Sequence, residues 1–126
     1  MSLRVEPIVC FTDDRGALHK LLPRAVPGEV YAVTGGPGVS RGHHRHHRMG
    51  EWFAALSGQW VLGVVSPQGA VQHVRLDAVR AYVPAGWAHA LFNVGTHVGQ
   101  VLACADRAHD PDDVEPVQVP EPPCSG

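Results

Sequence analysis

The sequence predicts an all-β fold, a single small β-barrel. Three observations lead there: short valine-rich runs, 14 glycines and 11 prolines spread between them as turn formers, and no stretch that sustains a helical period. At 126 residues the chain is one domain. That is long enough for a core between two sheets and too short for a second catalytic domain.

Strands are expected at residues 6–11, 17–22, 29–34, 43–47, 51–56, 59–65, 70–76, 80–83, 89–94 and 99–105. Asp14-Arg15-Gly16 reads as a turn between the first two. Arg48-Met49-Gly50 interrupts the strand that begins at His43, and Glu51 opens the next apolar run. Ser57-Gly58 is a tight turn, Pro67-Gln68-Gly69 a hairpin turn, and Pro84-Ala85-Gly86 a turn that restarts a strand. From Asp110 the composition shifts to proline and acid, which cannot continue a sheet interior. The expected division is therefore a barrel over 1–109 and a tail over 110–126 that wraps the surface or frays. No internal repeat is present.

The net charge of −2 argues against nucleic acid as a partner. No apolar run approaches the ~20 residues of a membrane span, and residues 1–12 lack the basic start and apolar centre of a signal peptide. A soluble, cytoplasmic protein with no membrane partner is the expectation. Cys10, Cys104 and Cys124 are odd in number and show no Cys-x-x-Cys spacing, so neither a cysteine zinc site nor a disulfide framework is indicated.

The chemistry concentrates in two segments, residues 38–58 and 84–93. Side chains two apart on a strand share a face, so His44 and His46 point together while His43, Arg45 and His47 point the other way. The Glu51 carboxylate can return to the same pocket from the next strand, and His89 arrives from a distant one. Three imidazoles and a carboxylate suit zinc, iron, nickel, manganese or copper and leave coordination positions for water or substrate. The same set suits proton transfer. Taken singly, His19, His73, His97 and His109 read as solvated or hydrogen-bonded side chains.

This pattern resembles the cupin superfamily. The first cupin motif, G-x5-H-x-H-x(3,4)-E-x6-G, is met at Gly38, His44, His46, Glu51 and Gly58. The second, G-x5-P-x-G-x2-H-x3-N, is met at Pro84, Gly86, His89 and Asn93, with Ala78 in place of its first glycine. The resemblance implies a jelly-roll barrel and a metal held by His44, His46, Glu51 and His89.

Residues outside the motifs resemble one branch of that superfamily, the dTDP-4-dehydrorhamnose epimerase-like epimerases and ketoisomerases of nucleotide sugars. Asp14-Arg15-Gly16-Ala17-Leu18 looks like their D-R-G-x-L element, Arg41-Gly42-His43-His44 like R-G-x-H, and the segment through Asp110-Pro111 like their closing residues. Arg41 through Phe53 is most similar to the C-terminal cupin domains of the bifunctional epimerase–reductases of capsular polysaccharide synthesis. The 3,4-ketoisomerases come second; they generally lack the equivalents of Glu51 and His89.

The implied activity is epimerisation or ketoisomerisation of a 4-keto nucleotide sugar, by proton abstraction next to the ketone. Histidine suits that step, with His44, His46 and Tyr31 as catalytic candidates. A ring nitrogen bound to metal cannot also take a proton, so metal at His44 shifts the base elsewhere, to Tyr31, His43, His47 or a metal-bound hydroxide. Arg15 and Arg41 are candidates to grip a diphosphate through paired N–H donors, and Trp87, beside His89, to line the pocket mouth. Strict alternation puts Arg41 opposite His44 unless Gly42 hosts a bulge. The resemblance, with the cost of open sheet edges, also implies a homodimer. A metal-dependent dioxygenase and a non-catalytic sugar-binding cupin are the rival classes.

Overall fold

The computed structural model describes residues 1–123. Twelve strands are present among them: β1 (Arg4–Pro7), β2 (Val9–Asp13), β3 (Gly16–Lys20), β4 (Val30–Gly35), β5 (Ser40–His46), β6 (Glu51–Ser57), β7 (Trp60–Val65), β8 (Val71–Arg75), β9 (Val79–Val83), β10 (Ala88–Asn93), β11 (Gly99–Ala105) and β12 (Val114–Pro116). The one helical element among the described residues is a single 3-10 turn, Pro111–Asp113.

Two five-stranded antiparallel sheets, ordered β1-β9-β6-β11-β4 and β12-β5-β10-β7-β8, face each other, and β2 and β3 form a separate hairpin. This is a jelly roll. The two sheets enclose the core as a sandwich and are not joined into a continuous hydrogen-bonded ring. Phe53, Ala81, Val83, Val101 and Ala103 from the first sheet meet Leu62, Val64 and Leu91 from the second. These residues alternate with outward-facing ones, and that period of two selects a strand over a helix.

The expected strand 6–11 is in fact two. Arg4–Pro7 pairs with β9, and after Ile8 the chain leaves the sheet to form the hairpin. The amide of Ile8 is taken by the carbonyl of Ala78. Ala78, which stands where the motif has glycine, keeps a glycine-like φ of +57°.

The acidic C-terminal segment is built into the fold. Val114–Pro116 pairs with β5 as an edge strand, where Pro116 lacks only a donor that an edge does not need. Beyond it Val119 is fully buried against Val61, Ala88, Ala90 and Phe92 on the outer face of the second sheet. Its amide donates to His43 Nδ1, and the Pro120 carbonyl is paired with His73 Nε2 at 2.9 Å. Cys104 is buried and Cys10 exposed, and neither forms a disulfide; Cys124 lies outside the described residues.

Candidate functional site

Strand register places the site. Within the second sheet His44 pairs with His89, and within the first Tyr31 pairs with Ala103 and Glu51 with Val83. Ala103 and Val83 belong to the core, so all of these side chains point between the sheets. Paired residues share a face in an antiparallel ladder. His46, two residues on from His44, joins them.

One donor atom each from His44, Glu51 and His89 lies within 4.8 Å of the others. His46 Nε2 is 3.4 Å from Glu51 Oε1, and His89 Nε2 is 3.7 Å from the same oxygen. Glu51 is 1% exposed, and its Oε1 accepts no hydrogen bond. Its other oxygen, Oε2, accepts from the Tyr31 hydroxyl. The rings of His44 and His46, with Glu29, Tyr31, Met49 and His109, wall a cavity of about 480 Å³.

Burial sets the protonation states. It is the largest cause of the lowered pKa of His44, brought down to about 4, and of His46 and His89. All three imidazoles are therefore neutral at pH 7, which is the form that binds metal or accepts a proton. Burial also raises Glu51 to about 7, against the opposing pull of the Tyr31 hydrogen bond. Tyr31 is itself raised well above the usual tyrosine value, by burial first and then by the Glu51 charge.

A buried carboxylate oxygen without a partner, facing neutral imidazoles, is an arrangement a divalent cation completes. The donor set fits such an ion: mixed nitrogen and oxygen, closely spaced, with one side open to the cavity.

The other expected site residues fall as follows. Between His89 and Ala90 the pairing with β5 slips, so that Ala90 faces Gly42, His89 faces His44 and His43 is an extra residue. This is a bulge, with Gly42 at φ +102° and His43 at φ +55°. Beyond it Arg41 pairs with Leu91, a core residue, and so lies on the face of His44 despite the odd spacing. Its Nη1 donates to the Thr34 carbonyl and it has no acidic partner among the described residues.

Arg15 is not brought to the imidazoles. It sits on the exposed β2–β3 hairpin, where its Nη2 is 2.5 Å from Asp13. Trp87 packs against the core and its indole N–H donates to the Met1 carbonyl, away from the residues that wall the cavity. His43 and His47, the alternative bases, are engaged outside the cavity. His43 contacts Ser40 Oγ and the Val119 amide, and His47 contacts Glu115. Asn93 is structural: its side chain donates to the Gly35 and His97 carbonyls and accepts from the Gly95 amide.

Glu29 and Met49 reach the cavity without having been singled out, and His109, read singly as a solvated or hydrogen-bonded side chain, also walls it. Glu29 precedes Tyr31 by two residues, a spacing that placed it on the same face. His109 carries no such signal, because it follows the last long strand in a loop.

Residues 11–116 match the family model described as the polysaccharide biosynthesis C-terminal domain, and the chain belongs to that family. It is 30% identical over 103 residues to the UDP-2-acetamido-2,6-beta-L-arabino-hexul-4-ose reductase of Pseudomonas aeruginosa, covering 79% of this chain and 28% of that protein. It is 35% identical over 97 residues to the glucose-6-phosphate isomerase of Sinorhizobium medicae, covering 74% and 42% respectively. The chain thus spans less than half the length of both curated relatives.

Among solved structures, a dTDP sugar isomerase from Desulfovibrio desulfuricans superposes with a TM-score of 0.84 at 17% identity, over 92% of this chain and 83% of that one. A 3'-monoepimerase from Streptomyces bikiniensis in complex with dTDP-quinovose gives 0.82 at 17% identity, over 91% and 69%. The sugar 3,4-ketoisomerase of Thermoanaerobacterium thermosaccharolyticum in complex with TDP gives 0.76 at 19% identity, over 90% and 86%.

Proposed function

We propose that this chain is an epimerase or ketoisomerase domain acting on a 4-keto nucleotide sugar, exchanging a proton at the carbon beside the ketone. The observation that carries this reading is the meeting of His44, His46, His89 and Glu51 between the sheets, where His44 and His46 also wall a cavity. The family match and the nucleotide-sugar enzymes among the fold neighbours support it.

His44, Glu51 and His89 would hold a divalent ion, with His46 beside them. Bound there, the ion would supply positive charge to the oxygen of a carbonyl substrate. A coordinated ring nitrogen carries no proton, so His46 is the imidazole that takes it from carbon, and in the metal-free protein His44 shares that role. Both rings face the cavity and both are neutral at pH 7. Tyr31 fixes the Glu51 carboxylate through its hydroxyl. Arg41, on the same face with donors to spare, is offered to the diphosphate.

The protein acts in the cytoplasm as a homodimer. Among the described residues the β2–β3 hairpin pairs with no other strand, and it exposes Val9, Phe11 and Leu18, which a second copy would cover. Among the described residues no helix is long and apolar enough to cross a membrane.

The test is incubation in deuterium oxide with a TDP- or UDP-linked 4-keto sugar. A gain of one mass unit per exchanged position is expected in the recovered sugar, and none with metal-loaded His46→Ala. No exchange by the metal-loaded or the metal-free protein would end the proposal. The isomerase relative favours a second substrate class, a sugar phosphate, by the same proton chemistry. Fructose 6-phosphate in the same assay distinguishes the two.

A further inference from the structure

The loop between the histidine pair and Glu51 is held from outside by two carboxylates that follow β11, Asp106 and Asp113 of the C-terminal segment. The amide of His47 donates to Asp113 Oδ1 and that of Arg48 to Asp113 Oδ2, both at 3.1 Å. The amide of Gly50 donates to Asp106 Oδ1 at 3.1 Å, and the Asp106 amide returns a bond to the Gly50 carbonyl. Three of the four amides between His46 and Glu51 thus end on two aspartates that are distant in sequence. Asp113 is buried, and its carboxylate accepts from this loop and pairs with the Arg48 guanidinium. The same segment pairs with the histidine strand itself, Val114 opposite His46 and Pro116 opposite His44. Asp106 is fixed in turn by the Tyr82 hydroxyl.

We propose that Asp113 and Asp106 are positioning residues, which hold residues 47–50 in the one shape that sets the histidine pair against Glu51. The inference rests on the proposed site, since it assigns these aspartates to that site's geometry. Neither touches the cavity. A loop with free amides has many shapes, and each ligand-to-ligand distance would spread with them. Two acceptors on one carboxylate remove that freedom at consecutive residues, as outer-sphere partners do for metal-binding side chains.

The experiment compares Asp113→Asn and Asp113→Ala with Asp112→Asn. Asp112 lies one residue away on the same turn, its side chain bonds nothing in the loop, and its substitution removes the same charge. Cobalt(II) titration followed by visible absorption is expected to show a tenfold or greater loss of affinity and an altered spectrum for both Asp113 variants. Asp112→Asn should match wild type. Histidine ring NMR signals of the metal-free protein give a second, metal-independent readout. His44 and His46 signals should shift in Asp113→Asn and stay in place in Asp112→Asn. Wild-type cobalt affinity and unshifted ring signals in folded Asp113→Asn would overturn the inference, as would equal effects from Asp112→Asn. If wild type binds no cobalt, the metal reading falls and the ring signals alone decide the clamp.

Discussion

The Tyr31 hydroxyl donates to Glu51 Oε2 and leaves Oε1 of the same carboxylate turned toward His46 and His89 with no partner. Among the described residues this is the carboxylate's one hydrogen bond, and it lowers the Glu51 pKa against the rise that burial causes. Tyr31→Phe removes it. Proton exchange at pH 7 is expected to fall tenfold or more, and the lower limb of the pH–rate profile to move upward. A Phe variant with wild-type rate and profile would make the contact incidental.

Glu51 also ties stability to pH. Its pKa rises from the usual 4.5 to about 7 in the folded, metal-free protein. The protonated form is the favoured one, so stability from this group is complete below pH 4.5 and is lost as pH rises through 7. The size is on the order of 3 kcal/mol. The lowered histidines act in the opposite sense: their contribution is present above pH 6.5 and lost on acidification toward 4. The difference in melting temperature between metal-free Glu51→Gln and wild type isolates the carboxylate. It should grow from pH 4.5 to 7 in favour of the variant and stay level above. A difference that does not change with pH would contradict the raised pKa.

Metal uptake should release one proton, not several. At pH 6 Glu51 is mostly protonated, whereas burial keeps the ligands His44 and His89 neutral already. Zinc affinity is therefore expected to rise about tenfold per pH unit up to about pH 7 and then flatten. Calorimetry in buffers of different ionisation enthalpy counts the protons directly. Release of two or three would mean that the imidazoles are charged before the metal arrives.

Much of this site was legible because ungapped strands alternate strictly. Parity put His44 and His46 on one face, while Glu51, His89 and Tyr31 were picked out by motif spacing and family resemblance and lie within regular strands or at their edges. Arg41 was not legible in that way. The bulge at Gly42 and His43 resets the parity, and only glycine's tolerance of positive φ hinted at it. The break at Ile8 was hidden, since residues on both sides read as strand and differ only in their partners. β12 was hidden for a related reason. Three residues ending in proline form a strand only because β5 offers an edge. Arg15 and Trp87 carried a family pattern or a neighbouring histidine, and neither says where a hairpin projects or how an indole packs.

Two backbone positions test the frame in opposite directions. At Gly42, φ is +102° and an added Cβ would lie 3.1 Å from the His89 carbonyl oxygen. Gly42→Ala should cost about 1–3 kcal/mol and loosen the pairing of His44 with His89. Ala78 already bears a side chain at φ +57°. Ala78→Gly relieves that strain and should add up to about 1 kcal/mol. Denaturant midpoints measure both, and a stabilised Gly42→Ala would show that the bulge is not required.

The hairpin gives the last prediction. Among the described residues β2 and β3 pair only with each other, and a two-stranded ribbon has little stability alone in water. Phe11, 59% exposed, stands directly opposite Leu18, 54% exposed, so the ribbon carries an uncovered apolar pair. Covering it with a second copy would remove that pair from water and order the ribbon together. Phe11→Glu places a charge in the contact, which neither copy can neutralise. Sedimentation at micromolar concentration should show a dimer for wild type and a monomer for Phe11→Glu. Because the residue lies far in sequence from Glu51 and does not wall the cavity beside His44 and His46, the variant should keep its cobalt affinity within about twofold. A wild-type monomer at the same concentration would leave the hairpin without a covering partner of its own kind and would sink the dimer.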